Sequence, residues 1–67
     1  MISNMDIWRA ANFLSKRYGK NAGDEALTRA SELKATGDHV GHRIFLTIAE
    51  AAYELARIKR RDTEALN

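Results

Sequence analysis

The sequence predicts an all-α fold, a compact three-helix bundle in which the third helix is the longest and central. Three observations predict it. The 67 residues include no proline and only four glycines, and they are rich in Ala, Leu, Arg, Lys and Glu, the strongest helix formers. Apolar residues recur at spacings of three and four, the period of a helix face turned toward a core. Finally, Gly19 and Gly37 fall at the ends of such stretches, where a residue with positive φ ends a helix.

The first helix is expected over residues 4–18. Ser3-x-x-Asp6 has the form of a capping box, in which the hydroxyl satisfies a free N–H and the carboxylate offsets the helix dipole. Ile7, Ala11, Leu14 and Tyr18 form its stripe, flanked by Ala10 and Trp8. Lys16 and Arg17 complement the dipole at its end, and Gly19 is placed as a left-handed stop. The second helix is expected over 22–36, capped by Asn21, with Ala22, Ala26, Ala30 and Leu33 on one face and Leu27 beside them. Gly37 is expected to be left-handed, and Asp38 follows at once as the cap of a third helix over 39–60. There Val40, Ile44, Ile48, Ala51, Leu55 and Ile58 form one stripe. Phe45, Ala49, Ala52 and Ala56 form a second. Two stripes imply two packing partners, hence the central place of this helix. Residues 1–61 make one domain, with 62–67 a frayed tail. The expected core is Ile7, Trp8, Ala11, Leu14, Leu27, Leu33, Ile44, Phe45, Ile48 and Leu55.

A chain this short lies near the lower limit for folding unaided, where a core alone supplies about 3–5 kcal/mol. It has no cysteine, which excludes a disulfide scaffold and thiolate zinc sites and fits a reducing compartment, so a cytoplasmic protein is expected. No run approaches the roughly 20 apolar residues that span a bilayer, and the opening lacks the basic and apolar regions of a signal peptide. The formal charge is +2, from eleven basic and nine acidic side chains. Its distribution is uneven: residues 1–21 carry Arg9, Lys16, Arg17 and Lys20 against Asp6 alone.

No group of residues specifies a reaction. His39 and His42, three apart beside Asp38, supply too few ligands for a closed metal site, which takes about four, so no metal or other cofactor is assigned. The hydroxyl residues lie on helices without an elbow or oxyanion-hole loop. Glu25 with Arg29 at i+4 and Glu54 with Arg57 at i+3 read as solvated ion pairs on helix faces. No catalytic residue is assigned, and the chain is expected not to be an enzyme. The second helix, tight turn and third helix invite comparison with a DNA-binding helix-turn-helix. However, Asp38 would stand where phosphates approach, and so short a turn suits an antiparallel hairpin. The basic residues Arg57, Lys59, Arg60 and Arg61 meet the dipole at a helix C-terminus.

The back of the first helix is the most informative surface. Arg9, Phe13, Lys16, Arg17 and Lys20 share a broad arc opposite the Ile7 stripe, with Met5 at its margin. An exposed aromatic within a basic rim has the composition of a protein-interface anchor. The alternative is a rotated helix that partly buries Phe13.

The run Arg29-Ala30-x-x-Leu33-x-x-x-Gly37-Asp38-x-x-Gly41-x-x-x-Phe45-x-x-Ile48-Ala49, continuing to Leu55, together with Asp6-Ile7-Trp8 and Tyr18-Gly19, resembles small alphaproteobacterial proteins of a domain-of-unknown-function family. That family often carries tryptophan where this chain has Phe45 and histidine where it has Tyr18. The resemblance covers residues 6–55 and implies a compact three-helix protein. It implies no activity, cofactor or catalytic residue.

The expected function is therefore that of a non-enzymatic interaction module, an adaptor or inhibitor whose Phe13 surface meets an acidic protein. The chain itself is expected to be a monomer or weak homodimer, away from membranes. The runner-up is a nucleic-acid-binding or regulatory protein that uses Arg9, Lys16, Arg17 and Lys20 with the Arg57 to Arg61 cluster as a further contact.

Overall fold

The computed structural model describes the backbone of residues 3–65 and the side chains of residues 3–58. Three α-helices follow one another: α1 (Asn4–Tyr18), α2 (Ala22–Ala35) and α3 (His39–Ala65), with a single 3₁₀ turn, Gly19–Asn21, between the first two. Among the described residues there is no strand. With so short a joint, α1 and α2 form one bent helical arm lying on α3. The third helix is both the longest, at 27 residues, and central, packing against α1 and α2 alike. It sets the 46 Å long dimension of a molecule that measures 21 × 15 Å across, since a helix of that length spans about 40 Å.

Local chemistry sets where each helix begins and ends. The Ser3 hydroxyl accepts from the Asp6 N–H at 3.2 Å and donates to the Asp6 carboxylate at 3.0 Å, a capping box closed between side chains. α1 ends at Gly19, whose φ of +60° is paired with a ψ of −132°. This positive-φ conformation is not the left-handed helical one expected, but the corner of a tight turn that glycine alone enters freely. The Ala22 N–H then bonds the Gly19 carbonyl. This 3₁₀ turn, and not the Asn21 side chain, leads into α2.

At the other end of α2, Gly37 has φ +85°. The Asp38 N–H reaches the Leu33 carbonyl at 2.9 Å and the Gly37 N–H the Lys34 carbonyl at 3.0 Å. These two bonds are the Schellman closure that the left-handed glycine makes accessible. Asp38 immediately caps α3, its carboxylate accepting from the Gly41 N–H at 2.8 Å.

Alanine dominates the interior. The buried apolar residues are Ile7 and Ile48 together with Ala11, Ala22, Ala26, Ala30, Ala49, Ala51 and Ala52, and Leu14, Ile44, Phe45 and Leu55 pack half-buried around them. Small side chains let backbones approach closely, and two contacts show how closely α2 lies along α3. The Tyr53 ring rests on the backbone of Gly23, where an added Cβ would stand 2.5 Å from it, and the Tyr53 hydroxyl donates to the Asp24 carboxylate. Farther along, the His42 ring donates through Nδ1 to the Ala30 carbonyl at 2.8 Å. Gly23 opposite Tyr53 and Ala30 opposite His42 fix the two helices as antiparallel.

Three expectations are corrected. Trp8 is 40% exposed and Leu27 39% exposed, so neither belongs to the core. Both flank stripes whose central residues are alanines, and the helices lie too close together for a large flanking side chain to enter. The third helix extends past the expected residue 60 to Ala65. Asp62-Thr63-Glu64-Ala65 contains neither glycine nor proline, so nothing interrupts propagation of a helix already nucleated. Leu66, Asn67 and the side chains of residues 59–65, including those of Lys59, Arg60 and Arg61, lie outside the described residues.

Candidate functional site

The residues predicted to meet a partner all lie on the outer side of α1 and the turn after it. Arg9, Phe13, Lys16, Arg17 and Lys20 are exposed, Phe13 at 64%. That value decides between the two orientations of α1, because the aromatic ring faces outward. It faces outward for a geometric reason. The buried stripe of α1 is Ile7 and Ala11, and at 100° per residue Phe13 lies well outside the arc that Ile7, Ala11 and Leu14 present to α3.

Phe13 is not isolated. It forms one lip of a groove of about 370 Å³, whose apolar floor is made by Ala10 and Leu14 of α1 and Phe45 and Ile48 of α3. Arg17, Tyr18 and Arg29 complete the lining. The Arg17 guanidinium sits 5.7 Å from the centre of the Tyr18 ring, within range of a cation–π contact that steadies it at the rim. Arg29 arrives from α2. The expected i+4 pair between Glu25 and Arg29 is not formed, and the one ion pair among the described residues is Arg57 with Glu54 at 2.8 Å. Thus all three helices contribute to one groove that contains two cations, three aromatic rings and no carboxylate.

Of the predicted site residues, the groove takes Phe13 and Arg17, while Arg9, Lys16 and Lys20 stay outside its lining. Sequence reasoning missed Arg29, Tyr18 and Phe45 as site residues. The signals were present and read differently: Tyr18 and Phe45 fall on core stripes, and Arg29 has a carboxylate at an ideal helical spacing.

A smaller groove of about 250 Å³ lies on the opposite flank of α1. Trp8 and Ile7 face Thr47, Glu50, Ala51 and Glu54 of α3 across it, with Asn4 at one end. Its carboxylates do not converge on a buried point. Glu54 already binds Arg57.

Two of the groups that invited chemical readings have structural partners. His42 ties α3 to the Ala30 carbonyl, and Asp38 is committed to the Gly41 N–H. Among the described residues no cluster of three or more His, Cys, Asp or Glu side chains stands close enough to hold a metal ion. No helix described is long and apolar enough to cross a membrane. The hydrogen bond to Asp24, aided by partial desolvation, holds the Tyr53 phenol above its ordinary value of 10.0. That contact belongs to the α2–α3 seam and not to either groove. No family model, no curated protein and no solved structure matches this chain.

Proposed function

We propose that this protein is a non-enzymatic interaction module, an adaptor or inhibitor that binds an acidic segment of another protein through the Phe13 face of α1. One observation carries the reading: an aromatic side chain with 64% of its surface exposed stands at the lip of a groove with an apolar floor and arginines at its rim. A large exposed apolar group costs a monomer solubility, and aromatic and arginine side chains are the residues most enriched at interface hot spots. Arg9, Lys16 and Lys20 lie beyond the groove on the same outer side of α1 and its turn. They supply a positive field that draws an acidic partner and excludes basic ones, acting on the encounter rate more than on the bound contact. The partner is a protein, the module works in the cytoplasm, and no cofactor takes part.

A peptide array tests this reading, with acidic sequences presented with and without an aromatic or large aliphatic residue. Binding to the acidic-apolar sequences should be lost in Phe13→Ala and should fall only modestly as salt rises, since much of the contact is apolar. The opposite outcome is preference for a DNA duplex, with affinity dropping steeply with salt through Arg9, Lys16 and Lys20. That result would make the protein a nucleic-acid binder and overturn the proposal.

A further inference from the structure

The structure assigns the acidic partner a more definite chemistry. We propose that the groove takes a segment in which a carboxylate lies next to a large apolar or aromatic side chain, the carboxylate meeting Arg17 and Arg29 and the apolar group entering between Phe13 and Phe45. This rests on the reading of the Phe13 face as a partner-binding surface and adds to it a residue from α2.

Five features of the groove support this assignment. Arg17 and Arg29 come from different helices and line the same groove, so their positions relative to each other are set by the α1–α2 joint and not by one flexible helix surface. Arg29 points there even though Glu25 stands one turn earlier at a favourable spacing, and no ion pair joins them among the described residues. Arg17 is braced against the Tyr18 ring, which lowers the entropy lost when it accepts a partner. No acidic side chain lines the groove, so the two guanidinium groups present donors with no carboxylate of their own groove to satisfy them. A planar donor fork matches a carboxylate well. The floor is apolar and 370 Å³ holds one large side chain rather than a folded domain. A free anion would therefore leave most of the groove unfilled, and an uncharged apolar segment would leave both arginines unpaired.

Short acetylated and amidated peptides carrying a central Phe-Glu pair are the probe, followed by amide chemical shifts of the whole protein. Matched peptides with Phe-Gln and Ala-Glu separate the two halves of the ligand. The Phe-Glu peptide should perturb Leu14, Phe45 and Ile48, and either substitution in the peptide should weaken binding about fivefold or more, the scale of one partly desolvated charged or aromatic contact. Arg29→Ala and Arg17→Ala should each cause a similar loss, while Arg9→Ala should not. All three side chains are exposed, and an unchanged dispersed spectrum verifies that each variant folds. If Arg29→Ala binds as the parent does while Phe13→Ala does not, the two-arginine assignment is wrong and the partner-binding reading stands. Equal binding of Ala-Glu and Phe-Glu peptides would show a charge-only surface and overturn the assignment as well. If no acidic peptide binds at all, both readings fall together.

Discussion

The contact between Gly23 and Tyr53 yields a prediction in which one substitution changes sign with its background. A Cβ added at Gly23 would lie 2.5–2.6 Å from three atoms of the Tyr53 ring, and these are its three nearest neighbours. Optimal carbon contacts fall near 3.5–4.0 Å, so one partner must move. The ring moves more easily than the helix, because Tyr53 is partly exposed and can swing outward. Swinging outward breaks the hydroxyl bond to Asp24 and lifts the ring from α2, uncovering apolar surface. Alanine returns about 0.5–1 kcal/mol through its higher helix propensity. Gly23→Ala should therefore lower the stability of the parent despite that gain. In a Tyr53→Ala background the obstruction is gone and only the propensity gain remains, so the same substitution should stabilise by about 0.5–1 kcal/mol. Such a change of sign is the non-additivity expected of residues in direct contact.

Urea denaturation of the parent, the two single variants and the double variant measures this cycle, with the midpoint as the readout and the slope as a check that unfolding stays two-state. The reasoning is refuted if Gly23→Ala shifts the midpoint in the same direction in both backgrounds. It would then follow that the glycine is present for a reason other than the ring lying on it.

Three further outcomes are expected. Ile48, 3% exposed, is one of two large aliphatic residues in the buried core among the described residues; truncation to alanine removes three carbons, about 2.4 kcal/mol of transfer energy. Because Ile48 also lines the groove, the vacated space opens to it and adds little cavity cost, placing Ile48→Ala in the lower half of the usual range of about 2–5 kcal/mol; a loss below about 1 kcal/mol in urea would contradict its place in the core. Tyr53 has a raised pKa in the folded protein, so its contribution is fully present below the unfolded value of 10.0 and is lost as pH rises through the folded one; stability should fall more steeply in that alkaline window for the parent than for Tyr53→Phe, and identical alkaline profiles would remove the Asp24 contact from the seam. In sedimentation equilibrium at micromolar concentration a monomer or weak dimer is expected, because a symmetric contact through Phe13 brings Arg9, Lys16, Arg17 and Lys20 toward their own copies; a tight dimer that dissociates on Phe13→Ala would show that the face serves self-association.

The fold was legible in this sequence because its signals are local and agree with one another. Gly37 followed by Asp38 encodes a stop and a start in adjacent residues, and both are used as read. The stripes Ile7–Ala11 and Ala22–Ala26–Ala30 mark the buried faces correctly. Placement of the large side chains at the edges of those stripes was harder to read. Trp8 and Leu27 are both apolar and both flank a stripe. Whether either is covered depends on the distance between helices, and that distance follows from which residues meet across the seam. No periodicity along one helix contains that information. Arg29 failed for a related reason. Its spacing from Glu25 is a property of α2 alone, whereas the groove that takes it is created by the approach of α1 and α3.

The alanine core and the candidate site are linked by the same geometry. Helices that meet through Ala22 and Ala26 on one side and Ala49 and Ala52 on the other leave little room to enclose whole rings between them, so the aromatic residues lie toward the margins. There Tyr53 closes over Gly23 and gains a hydroxyl partner in Asp24. Phe13, on the other margin, and the half-buried Phe45 line a groove. An Ala49→Leu substitution would test this directly: forcing α2 and α3 apart is an overpacking change that costs about 1–3 kcal/mol. It should also alter the groove lined by Phe45 and Ile48 on the same helix, so peptide affinity should fall along with stability. If affinity survives while stability drops, the groove is independent of the seam, and the close packing of α2 on α3 is not what positions the candidate site.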